Sequence, residues 1–164
     1  MRAVEISKTC KATKPDTLQD IERIFNGFHQ IARQLRSRHN NRNTLNVNDE
    51  YDVQDLLHAL LKLYFEDVRT EEWVPSYAGA SSRMDFLLKS EKLVIEVKKT
   101  RTSMGDRVLG EQLIVDIDKY SSHPDCERLI CFVYDPEGII GNPRGIENDL
   151  NTSHQGFVKI VIRP

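Results

Sequence analysis

Long apolar runs are missing from this 164-residue chain, and no stretch approaches the ~20 apolar residues of a membrane span. The opening residues MRAVEISKTC lack the apolar centre of a secretory signal. Cysteine is scarce. Cys10, Cys126 and Cys131 are an odd set without the spacing of a disulfide framework. These absences predict a reduced, cytoplasmic protein. His123, Cys126 and Cys131 would place three ligands on a loop and a buried strand, a poor zinc signature. Cys131, inside ICFVY, reads instead as a small core residue. The chain has no P-loop, no dinucleotide-binding glycine fingerprint and no G-x-S-x-G elbow, so no nucleotide motor or serine hydrolase is indicated. Repeats and low-complexity tracts are also absent.

What remains suits one globular domain, with 39% hydrophobic and 29% charged residues. The net charge of −2 hides an asymmetry. Residues 1–45 carry nine Lys/Arg against four Asp/Glu, a balance of +5, and residues 46–164 carry fourteen against twenty-one, a balance of −7. We read residues 1–45 as a basic helix and linker and 46–164 as the main core. The basic arm suits a nucleic-acid contact and equally a solvated helix face.

Residues 17–38 read as an amphipathic helix, with Ile21, Ile24, Phe25, Phe28, Ala32 and Leu35 at helical spacing. An Asn-rich linker, 39–50, leads to a second helix at 51–65. Its stripe is Val53, Leu56, Leu57, Leu60 and Tyr64, with Asn48 or Asp49 as N-cap. Residues 73–83 suggest a short strand and a Gly/Ser turn. A hairpin is expected over 84–98, a third helix over 109–121, a buried strand over 128–134, a short helix over 145–153 and a last strand over 157–162. The order predicts a mixed α/β or α+β fold.

The hairpin, 84-MDFLLKSEKLVIEVKKTR-101, carries charges where a strand should be apolar. Alternation puts Leu93, Ile95 and Val97 on one face, and Val94, Glu96 and Lys98 on the other. In the first strand Met84, Phe86 and Leu88 oppose Asp85 and Leu87. If Leu88 pairs with Leu93, Asp85 falls opposite Glu96, with Cβ atoms roughly 4.5–5.5 Å apart. Two carboxylates so close repel unless a cation lies between them. Mg²⁺ takes oxygen ligands, usually one or two carboxylates plus water and phosphate. Lys98 points at the same place and can hold a water or offset a developing oxyanion. That set suits metal-assisted phosphodiester hydrolysis. It also suits an edge hairpin with one solvated face.

Asp85, the hairpin and Glu96-Val97-Lys98 together resemble the signature of the PD-(D/E)XK nucleases. The wider run from 49-DEYDVQDLLHALL-61 through 79-GASSRMDFLL-88 and 93-LVIEVKKTR-101 to 110-GEQLIVDIDKY-120 is similar to the DpnII/MboI-type restriction endonuclease branch. The resemblance implies a restriction-endonuclease-like core, a central mixed sheet flanked by helices. It implies Asp85, Glu96 and the Val97 carbonyl as ligands of Mg²⁺, with Mn²⁺ able to substitute, and Lys98 as the catalytic lysine. Met84 stands where the family name has proline.

A residue of the first core helix often completes such sites, and helical angle favours Gln54, at the edge of the apolar stripe, over Asp55. Gln112, Asp116 and Tyr120 recur at i, i+4 and i+8 on the third helix. Similar nucleases carry a Gln with Tyr four residues on, which points to Gln112. Here Asp116 holds that spacing and Tyr120 comes a turn later, and a polar helix edge with Tyr120 in the core fits as well. Lys99 and Arg101 beyond the strand, Ser82 and Arg83 beside Asp85, and Arg36 at the end of the first helix are candidate phosphate contacts. Ser82 and Arg83 serve equally as turn formers.

The expected activity is a Mg²⁺-dependent endonuclease acting on nucleic acid, with DNA the expected substrate and restriction or phage defence the implied setting. A non-catalytic nucleic-acid-binding or assembly module on the same fold is the alternative. The small size predicts that a homodimer, a regulatory or targeting partner, or a fused domain supplies targeting.

Overall fold

The structure is a computed structural model that describes residues 17–70, 73–74 and 82–164. Helix α1 (Thr17–Arg36) carries five buried residues of the expected stripe, Ile21, Ile24, Phe25, Phe28 and Ala32. After a short 3₁₀ turn comes α2 (Glu50–Leu61). Strands β1 (Val68–Thr70), β2 (Trp73–Val74), β3 (Ser82–Arg83), β4 (Phe86–Leu88) and β5 (Leu93–Lys99) follow. The remainder alternates as α3 (Asp106–Ser121), β6 (Arg128–Tyr134), α4 (Pro143–Ser153) and β7 (Val158–Arg163).

Five strands form one mixed sheet in the order β1-β4-β5-β6-β7. β1, β4 and β5 pair antiparallel, whereas β5, β6 and β7 run parallel, joined through α3 and α4. β2 and β3 pair separately as a small ribbon. Strands covered on both faces should be apolar on both, and β6, RLICFVY, is buried at all positions but its first. Ile130, Phe132 and Tyr134 join α1 and α2 in one core, while Leu129, Cys131 and Val133 join α3 in the other. Phe25 of α1 stacks on Phe132 with centroids 4.3 Å apart, and Phe28 meets the same ring edge-on at 5.2 Å.

Several expectations need correction. α1 ends at Arg36 and not at residue 38. α2 ends at Leu61, whose carbonyl accepts the amides of both Tyr64 and Phe65 in a tight turn. The turn swings Tyr64 out to 41% exposure and buries Leu61 and Phe65 in its place. β1 and β3 were not expected as strands. They are short, and β1, VRT, alternates too briefly to leave a period. α3 begins at Asp106, ahead of its first apolar residue, because the Asp106 carboxylate accepts the amides of Gly141 and Asn142 and ties the helix start to the 135–142 loop. Likewise α4 begins at Pro143, favoured in a first helical turn, with the Asn142 side chain capping Gly145. Met84 packs with Leu87 and not with Phe86, because the chain bends at Asp85 and the strand alternation starts only at Phe86. The expected Gly/Ser turn falls largely on residues 75–81, and Cys10 within 1–16, all outside the described residues.

Candidate active site

The hairpin register matches the sequence reading. Leu88 pairs with Leu93, Leu87 with Val94 and Phe86 with Ile95. Ladder pairing stops there, so β5 continues past β4 from Glu96 to Lys99 with that edge open. Asp85, at the bend before β4, fills the opening. Its Oδ2 accepts the Val97 amide at 2.7 Å, and its Oδ1 accepts Gln54 Nε2 at 2.9 Å. In a strand the amide and carbonyl of one residue point to the same edge. The Val97 carbonyl therefore faces the opening that holds Asp85.

Alternation turns Glu96 and Lys98 away from α2 and towards α3. Glu96 is only 8% exposed, and its Oε2 accepts the Tyr120 hydroxyl at 2.7 Å. Lys98 Nζ lies 2.7 Å from Asp116 Oδ2, each side chain 11% exposed. Asp116 Oδ2 has no well-aligned hydrogen-bond donor, so charge attraction holds this contact. One ridge of α3 thus meets both residues of the Glu-x-Lys run.

The electrostatics are those of crowded carboxylates. Burial lifts the Asp85 pKa above the ordinary carboxylate range, against the pull of the Val97 amide, and the Glu50 charge adds to the rise. Burial also lifts Glu96, helped by the Asp85 and Asp116 carboxylates. For Lys98 burial favours the neutral amine, but the Asp116 ion pair outweighs it and raises the pKa overall, so the side chain is an ammonium. Asp85, Glu96 and Asp116 against Lys98 give three formal negative charges to one positive, a balance of −2 that a divalent cation would neutralise.

The donor types in this set, carboxylate and backbone carbonyl oxygens, are those that Mg²⁺ takes. Among the described residues no group of three or more His, Cys, Asp or Glu side chains is arranged to hold a metal. A site of two carboxylates and one backbone carbonyl does not need such a group, since Mg²⁺ keeps waters and substrate oxygens for its other positions.

The other expected residues distribute unevenly. Gln54 touches Asp85, while Asp55 is exposed. Arg83 is exposed and lines a cavity of about 330 Å³ with Asp85, Gln54, His58 and Thr70. Ser82 lies in β3, opposite Val74. Gln112 is half-buried and makes no hydrogen bond to Asp85, Glu96 or Lys98. It lines a second cavity, of about 460 Å³, with Lys99, Arg101 and Glu50. Arg36 is exposed on the α1 layer, where its charge acts on Tyr134, whose side chain packs in the core on the opposite face of the sheet from Glu96 and Lys98. Cys131 is fully buried, and burial pushes its thiol well up, which fits a core residue.

Sequence reasoning passed over three neighbours of the site. Tyr120 and Asp116 were noticed for their spacing but not for their contacts. Glu50 was not considered. It stands one turn before Gln54, its charge reaches Asp85, and its Oε2 accepts the Lys99 amide at 3.4 Å. The available signal was spacing, because Glu50, Gln54 and His58 recur every four residues along α2 just as Gln112, Asp116 and Tyr120 do along α3.

Asp85 thus sits outside the ladder at the opened strand edge, on the Val97 amide, and is not paired opposite Glu96 as the hairpin register predicts. The sequence model of the DpnII-MboI restriction endonucleases (REase_DpnII-MboI) matches residues 19–164. The chain belongs to the DpnII-MboI restriction endonuclease family. No match was found among curated proteins or solved structures. Membership in this family implies a DNA-cleaving hydrolase. Among the described residues no helix is long and apolar enough to cross a membrane.

Proposed function

We propose that this DpnII-MboI family member is a divalent-metal-dependent endonuclease that hydrolyses phosphodiester bonds in DNA, in restriction or in defence against phage. What supports this reading is the Asp85 carboxylate on the Val97 amide at the unpaired end of β5, within reach of the Glu96 and Lys98 charges. Asp85, Glu96 and the Val97 carbonyl would hold Mg²⁺, or Mn²⁺ in its place. Bound there, such an ion supplies Lewis-acid polarisation of the phosphate and eases deprotonation of water.

The chain's own residues do the rest. Gln54 and the Val97 amide engage one oxygen each of Asp85 and fix its rotamer. Lys98, held as an ammonium, orients the attacking water by hydrogen bonding and offsets negative charge gathering on the phosphate. A group so firmly protonated is poorly suited to remove the proton itself. Lys99, Arg101 and Gln112 at one cavity, and Arg83 at the other, would contact phosphates flanking the cut.

The test is a cleavage assay on plasmid, linear and single-stranded DNA and on RNA, with Mg²⁺ or Mn²⁺. The wild-type protein is expected to cut DNA. Glu96→Ala and Lys98→Ala should each lower the rate on the order of 10²-fold or more while retaining the fold. Intact DNA and RNA under every condition, with nucleic-acid binding indifferent to Glu96→Ala, would sink the reading and favour a non-catalytic module.

A further inference from the structure

The ridge of α3 is the strongest unassigned feature. Tyr120 is fully buried and donates its hydroxyl to Glu96, and Asp116, 8% exposed, pairs with Lys98. Burying an acid and a phenol on the apolar side of a helix costs stability unless both are satisfied. Here the phenol hydrogen-bonds to Glu96 and the acid ion-pairs with Lys98, and the two contacts lie four residues apart on α3 and two apart on β5. α3 faces β5 with one ridge, so a rigid helix can set both side chains at once.

We propose that Asp116 and Tyr120 are positioning residues of the nuclease site, Asp116 setting the place of the Lys98 ammonium and Tyr120 setting the orientation of the Glu96 carboxylate. The assignment rests on the proposed function and divides its site into two separable halves. Lys98 has a flexible four-carbon stem, and the sheet alone does not decide where its charge sits. The Asp116 carboxylate, anchored at mid-helix, removes that freedom before substrate arrives. Glu96 has two oxygens that could face the metal position. Tyr120 engages Oε2, leaving Oε1 for a ligand bond. Both α3 residues are buried, so each acts through its partner.

The two halves predict different kinetic marks. Tyr120→Phe keeps the buried ring and removes the hydroxyl. It should weaken Mn²⁺ binding, read by calorimetry without DNA, on the order of tenfold. Its kcat should recover at saturating Mn²⁺. Asp116→Asn should lower kcat about 10- to 100-fold, a loss that saturating Mn²⁺ does not restore, while leaving the KM for DNA as in the wild type. Asp116→Glu keeps the ion pair but moves it by one methylene. It guards against loss of fold in the Asn variant and should also lose kcat.

A purely structural role gives another pattern, in which the unfolding temperature falls while kcat of the folded protein and Mn²⁺ affinity stay at wild-type values. That pattern overturns the assignment. So does wild-type kcat in Asp116→Glu, or unchanged Mn²⁺ affinity in Tyr120→Phe. Absence of cleavage by the wild-type protein counts against the proposed function instead, and the Mn²⁺ titration still reads the Glu96 half without turnover.

Discussion

At the scale of single residues, the site stores its tension in carboxylates that resist ionisation. Asp85 and Glu96 have native pKa values raised above the ordinary ~4 of an unfolded chain, both chiefly by burial, with the Glu50 charge adding for Asp85 and the Asp85 and Asp116 charges for Glu96. Between the unfolded and native values the folded state binds more protons, so the sign is fixed. The stabilisation is present at acid pH and is lost as pH rises through the raised native values. In chelator, the metal-free protein should therefore lose thermal stability between mildly acidic and mildly alkaline buffer more steeply than Glu96→Gln, which carries no charge there. Added Mn²⁺ should protect the wild type most at the alkaline end. Thermal unfolding across pH with and without metal checks this, and equal slopes for wild type and Glu96→Gln would refute it. The residues themselves were readable. Strand alternation and an even turn predicted Asp85 opposite Glu96, whereas the ladder ends at Phe86 and Ile95 and the Asp85 carboxylate meets the Val97 amide. What was hidden was which helix each would meet, because Tyr120 and Asp116 approach across the sheet–helix interface, with no local signature beyond their spacing.

At the scale of elements, α2 presents Gln54 to Asp85 only if its first turn is held. Asp49 caps it. Its side chain accepts the Asp52 amide at 3.0 Å, and the Asp52 carboxylate accepts the amides of Asn48 and Asp49 in return. Asp49→Ala leaves the Asp52 amide without that acceptor and should cost about 1 kcal/mol, read as a lowered midpoint of denaturant unfolding. An unchanged midpoint would show that the cap contributes nothing. The start of α2 was legible because capping chemistry is local. Its end was not. The expected stripe ran on to Tyr64, whereas the chain turns after Leu61 and Phe65 packs on the core. Helical periodicity does not reveal where tertiary contacts stop it. The two-residue β3 was equally opaque, since its pairing with β2 is a non-local event.

At the scale of the whole molecule, one sheet separates two cores, and the site forms where the sheet opens between them. Phe132, at the centre of β6, is held between Phe25 and Phe28 of α1 and carries α1 onto the fold. Phe132→Ala should cost on the order of 3–5 kcal/mol, seen as a large fall in unfolding temperature, because the two facing rings cannot close the gap. A loss no larger than that of Asp49→Ala would mean that α1 contributes little. Composition and periodicity by themselves determined the fold class, the apolar faces of α1 and β6, and the hairpin register. Each of these follows from side-chain alternation or helical spacing within one segment. Only the tertiary structure decided that β5 outruns β4, that Gln54 reaches Asp85 while Gln112 lies in a separate cavity, and that Asp116 and Tyr120 hold the Glu-x-Lys run. Those contacts join positions far apart in the chain, and no local pattern records which distant partner a buried charge will find.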